Sequence, residues 1–117
     1  MVVVTGSGKH FIIDVLADVS FVAINSECIG ALYAYWQLCD EYGVRGVVTG
    51  AANNPAYLCE PLHRKGLAWD FRSYIFPDQA AAASRLAENL KRLDPAYRVV
   101  YIKPPKPVHF HVEYRGK

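Results

Sequence analysis

Three of the four histidines fall in two short stretches, His63-Arg64-Lys65-Gly66-Leu67-Ala68-Trp69-Asp70 and His109-Phe110-His111-Val112-Glu113. Together they gather imidazoles and carboxylates, the side chains that bind transition metals and move protons. Asp70 is the anomaly. It stands among Leu67, Ala68, Trp69 and Phe71, in what reads as a buried strand. An isolated charge is very costly to bury, so this carboxylate must be paired, hydrogen-bonded or bound to a metal. A metal with histidine and aspartate ligands meets that demand directly. Taken singly, each residue has a plainer reading. His63 is then a loop histidine, Asp70 a paired structural carboxylate, and His109 and His111 alternate along a half-exposed strand.

In combination the residues carry a resemblance. A His followed seven positions later by Asp, with Gly and Ala between them, and then a downstream H-x-H-V-E-Y, resembles the zinc peptidases of the hedgehog/DD-peptidase fold. These are D-alanyl-D-alanine carboxypeptidases, dipeptidases and phage endolysin peptidases that cut peptidoglycan stem peptides. The matching residues are His63, Gly66, Ala68, Asp70, His111 and Glu113. The run Gly66-Leu67-Ala68-Trp69-Asp70-Phe71-Arg72-Ser73 looks like the G-x-A-x-D-x-R-[ST] of the phage-type members, and the resemblance covers about residues 40–115.

The resemblance implies that His63, Asp70 and His111 hold a zinc ion. Three protein ligands with one open position is the usual composition of a catalytic zinc site. On an extended strand His109, His111 and Glu113 share one face, with Phe110 and Val112 on the other. His109 and Glu113 therefore flank the expected ligand. Phage-type relatives carry Asp three residues before the last ligand, and here that position is Val108. Some relatives instead have His two before it, which makes His109 the first candidate for acid–base catalysis and Glu113 the second. Glu113 has an alternative role in orienting a ligand histidine, as carboxylates behind metal ligands commonly do. The family's substrate-holding Arg after a Ser/Thr-Gly run is missing, because Ala51 and Ala52 follow Thr49-Gly50. Arg72 and Arg64 are the candidate replacements, with Arg45 a further one.

The elements that must position these groups follow from pattern. Residues 2–5 and 11–16 read as short strands around a Gly6-Ser7-Gly8-Lys9 turn. Asn25 and Ser26 are good helix N-caps, residues 28–42 repeat apolar side chains at helical steps, and Gly43 is a C-terminal stop. Strands are expected at 44–50, 67–73, 97–103 and 108–114. A second helix is expected to open at Pro77-Asp78 and run to about Leu93. The last two strands, joined by Pro104-Pro105-Lys106-Pro107, should form an antiparallel hairpin. The expected fold is α+β: a small antiparallel sheet with two main helices on one face, hedgehog/DD-peptidase-like, and zinc in a groove on the other.

At 117 residues, 52% hydrophobic and 21% charged, the chain is expected to be a single domain with an ordinary core. A net charge of +2 gives no reason to expect a nucleic-acid partner. No apolar run approaches the roughly 20 residues of a membrane span. The start lacks the basic and long apolar regions of a signal peptide, so synthesis in the cytoplasm is expected, with action on the cell wall if the protein is a phage lysin. Cys28, Cys39 and Cys59 form an odd set without paired spacing, read as reduced buried thiols. The expected substrate is a peptidoglycan peptide. The alternatives are a non-catalytic zinc-binding structural or wall-binding module of the same fold, such as a phage component, and a zinc-stabilised domain that recruits Cys59 as a fourth ligand.

Overall fold

The computed structural model of the protein describes residues 2–6, 9–16, 19, 25–51 and 67–116. The chain runs β1 (Val2–Gly6), β2 (Lys9–Val15), α1 (Ser26–Tyr42), β3 (Val47–Gly50), β4 (Ala68–Phe71), α2 (Gln79–Leu93), β5 (Tyr97–Ile102) and β6 (His109–Tyr114). The strands form one sheet in the order β1-β2-β3-β4-β6-β5. The α+β class and the two helices agree with the sequence reading, but the sheet is mixed rather than antiparallel. β2 and β3 pair in parallel, Asp14 with Val47 and Val15 with Val48. The reason is connectivity: α1 lies between these strands, and parallel neighbours need such a crossover, whereas a short turn serves only antiparallel ones.

Helix α1 begins where Asn25 accepts a hydrogen bond from the Cys28 amide and ends at Gly43, whose φ of 66° lets its N–H reach the Asp40 and Cys39 carbonyls. That left-handed conformation is readily available to glycine and costly for most residues. Cys28, Ala31, Leu32, Tyr35, Leu38 and Cys39 form its buried stripe. Helix α2 is capped by Asp78, which accepts from the Ala81 amide, and buries Ala82, Leu86 and Leu90. Both helices pack against the face of the sheet that carries Val48, Trp69, Phe71, Phe110 and Val112. Burial pushes the thiols of Cys28 and Cys39 up to about 12, so both behave as small apolar core groups.

The strand expected at 44–50 starts only at Val47. Gly46 lies tight against α1, where a Cβ would sit 2.7 Å from the Tyr35 ring and 2.8 Å from the Cys39 sulfur. The strand expected at 67–73 is regular over Ala68–Phe71. Backbone bonds still extend it at both ends: Tyr114 N–H donates to the Leu67 carbonyl at 2.8 Å, and Arg72 N–H to the Val47 carbonyl at 2.9 Å.

Tyr35 ties α1 to the sheet beside Asp70. Its ring stacks on Phe71 with centroids 4.4 Å apart. Its hydroxyl donates to the Arg72 carbonyl at 2.7 Å and accepts from the Val47 amide at 3.2 Å. Tyr35→Phe keeps the stack but leaves the Val47 N–H and the Arg72 carbonyl without this partner. It should cost about 1–3 kcal/mol in denaturant unfolding. Unchanged stability would show that the hydroxyl does not hold this end of the sheet.

Candidate metal centre

β4 and β6 are direct neighbours, with Ala68 opposite Glu113, Trp69 opposite Val112, Asp70 opposite His111 and Phe71 opposite Phe110. Phe71, Trp69, Phe110 and Val112 go to the core and are fully buried. The two-residue period then sends Asp70, His109, His111 and Glu113 to the face opposite the helices. The apolar packing of one side thus sets the register of the polar groups on the other. Ala68, opposite Glu113, is fully buried. The Thr49 hydroxyl donates to the Asp70 carbonyl at 3.3 Å, fixing β4 from its other neighbour.

Asp70 is 1% exposed. Its Oδ1 lies 3.1 Å from Nδ1 of His111 and 3.7 Å from Nε2 of His109. Nε2 of His111 is 3.2 Å from Oε1 of Glu113, which is itself buried. The Oε2 of Glu113 accepts from Nε of Arg115. Carboxylates and nitrogen groups therefore alternate from Asp70 through His111 and Glu113 to Arg115. This arrangement answers the cost of burying Asp70 in the metal-free protein.

Burial by itself would lower the pKa of His111. The hydrogen bonds and charges of Asp70 and Glu113 outweigh it and hold the pKa above the ordinary histidine value. His109 is placed differently. Its Nδ1 is 2.7 Å from the Pro107 carbonyl. A carbonyl only accepts, so Nδ1 carries a hydrogen and Nε2 is the ring nitrogen that faces Asp70.

Asp70 and His111 are two of the three ligands expected from sequence, and the structure brings them together. The third, His63, lies outside the described residues, as do Arg64 and Cys59. Among the described residues no group of three His, Cys, Asp or Glu side chains is arranged to hold a metal. Imidazole and carboxylate are donor types that zinc takes. The Asp70 and His111 atoms stand at 3.1 Å, a hydrogen-bond distance slightly shorter than the about 3.3–3.6 Å between neighbouring donors on a tetrahedral ion with bonds of about 2.0–2.2 Å.

Of the arginines weighed for substrate binding, Arg45 is paired with Asp14 at 3.1 Å. Arg72 is half-buried, its buried Nε has no hydrogen-bond partner among the described residues, and its guanidinium carbon sits 5.0 Å from the centre of the Tyr74 ring. Arg72 follows the last residue of β4 directly. Arg115 and the Pro107 carbonyl were missed by sequence reasoning. Arg115 had a legible signal, since it is one further step of two along β6 from Glu113. The Pro107 carbonyl had none.

Compared with protein-family models, with curated proteins and with solved structures, the chain matches none of them.

The raised His111 pKa has a defined consequence for the metal-free protein. A group whose folded pKa exceeds its unfolded value stabilises fully below the unfolded value, about 6.5 for histidine, and the contribution fades as pH rises through the folded pKa. Thermal unfolding of metal-free protein should therefore show a midpoint that falls as pH rises above about 6.5. His111→Gln should flatten that fall. An equally steep fall in His111→Gln would remove His111 as its source.

Proposed function

We propose that the protein is a zinc-dependent peptidase of the hedgehog/DD-peptidase type that hydrolyses an amide bond in a peptidoglycan stem peptide. One observation carries this reading. A buried Asp70 meets His111 donor to donor, while the other nitrogen of His111 is backed by the carboxylate of Glu113. A ligand histidine whose second nitrogen donates to a carboxylate is the common construction of zinc sites.

In this reading His63, Asp70 and His111 hold the metal, which supplies Lewis acidity and lowers the pKa of water at the site. Glu113 keeps the hydrogen of His111 on Nε2, so that Nδ1 presents a lone pair beside Asp70. His109 Nε2 takes the proton of the attacking water and passes it to the departing amine nitrogen as the C–N bond breaks. The products are a carboxylate and an amine, and His109 returns to its starting tautomer through the fixed bond from Nδ1 to Pro107. Arg72 remains the candidate to hold a carboxylate of the substrate peptide, through the terminal nitrogens of its guanidinium, since its Nε is itself buried.

The second reading is a non-catalytic zinc-binding or wall-binding module, favoured by Val108 where phage-type relatives carry an acid. Digestion of purified peptidoglycan, with mass analysis of the fragments, separates the two. The peptidase should release new amino and carboxyl termini, a chelator should stop the release, and zinc should restore it. Zinc-loaded protein that leaves every stem peptide intact would establish the binding module instead.

His109→Ala should lower turnover by about 10²–10⁴ while zinc is retained. If His109→Ala stays near wild type across pH 5 to 9 (the range about neutrality where histidine titrates) and Glu113→Gln does not, proton transfer belongs to Glu113.

A further inference from the structure

We propose that Arg115 is a positioning residue for the metal site, acting on His111 through Glu113. The inference rests on the zinc reading and extends it to a side chain outside the expected ligand and acid–base set.

Glu113 divides its two oxygens between two partners. Oε1 faces His111 Nε2 at 3.2 Å, and Oε2 accepts from Arg115 Nε. The Glu113 side chain is only 10% exposed, whereas that of Arg115 is 57% exposed. The arginine therefore reaches in from solvent to hold a carboxylate that is almost wholly enclosed. Its own backbone is fixed, because Arg115 N–H donates to the Ala96 carbonyl at 3.0 Å, at the start of the neighbouring strand. Tyr114 beside it donates through its hydroxyl to Asp94 at 2.8 Å. The arginine is thus anchored at its main chain and aimed along the β6 face at Glu113.

An exposed ion pair is ordinarily worth little. This one differs in what its acid does next. In the metal-free protein His111 can donate from both nitrogens. Metal binding requires Nδ1 without its proton, and the neutral ring then keeps its hydrogen on Nε2, where it donates to Glu113. If Glu113 turned away, the ring would lose both its tautomer and its orientation. Arg115 prevents this by occupying the second oxygen of Glu113 and holding the carboxylate in place. The fork of a guanidinium suits that task better than an ammonium does.

Groups behind metal ligands typically change metal affinity by about 10–100-fold when removed. Arg115 acts one step further out, so the lower end of that range applies. Zinc affinity is measured on the full chain by competition with a chromophoric chelator, for wild type, Arg115→Gln, Arg115→Lys, Glu113→Gln and the Arg115→Gln/Glu113→Gln double variant. Cobalt(II) substitution supplies a visible spectrum of ligand geometry as a second readout.

Arg115→Gln should bind zinc about tenfold more weakly and shift the cobalt spectrum, with Arg115→Lys recovering part of the affinity. In the Glu113→Gln background the Arg115 substitution should cost nothing further, since its effect passes through Glu113. Wild-type affinity and spectrum in Arg115→Gln would overturn the inference. So would an undiminished Arg115 effect in the Glu113→Gln background. Wild-type protein that takes up no zinc would overturn the zinc reading together with this one, whereas zinc-bound wild type with an indifferent Arg115 overturns this one alone.

Discussion

The contact between Asp70 and His111, across the β4–β6 pair, is the constraint on which the site depends. A carboxylate 1% exposed in the middle of a sheet needs a compensating charge or a metal. In the metal-free protein His111 supplies it at 3.1 Å, with Glu113 and Arg115 extending the alternation of carboxylates and nitrogen groups. In the proposed zinc reading a metal would replace the proton that the two groups share, so that proton and metal would compete for one place.

The rest of the fold serves that register. Phe71, Trp69, Phe110 and Val112 are fully buried against the helices. A slip of one residue between β4 and β6 would turn these side chains outward and the histidines inward. Tyr35 secures the end of β4 to α1, and Thr49 secures its middle to β3. On the far side β5 pairs with β6 along its whole length, Tyr97 opposite Tyr114 through Ile102 opposite His109. His109 thus sits at the start of a strand held on both sides, with its ring pinned further by Pro107.

Much of this was legible in the sequence because it depends on local periodicity. The strict alternation from His109 to Glu113 gave the shared face of the three polar groups. An aspartate within an apolar run marked Asp70 as a position needing a partner. Asn25, Gly43 and Asp78 marked helix ends through the cap chemistry they perform in the structure. The parallel pairing of β2 with β3 was not legible, because strand direction is decided by the crossover through α1 and not by the composition of either strand. The late start of β3 was hidden for a related reason, since only the packed Tyr35 and Cys39 reveal how closely Gly46 approaches α1. The lock on His109 uses a backbone carbonyl, which carries no signature in residue type. That Arg45 is engaged with Asp14 was visible only in the structure.

The central claim is that Asp70 and His111 form part of a metal centre, and the most direct measurement is calorimetric titration of metal-free protein with zinc. The account predicts a single site of about one zinc per chain. Proton release should accompany binding as the metal displaces the hydrogen on His111. It also predicts that Asp70→Asn, which preserves shape and removes the charge, loses most of the binding. Wild-type protein without zinc uptake, or Asp70→Asn that binds zinc as tightly as wild type, would contradict it.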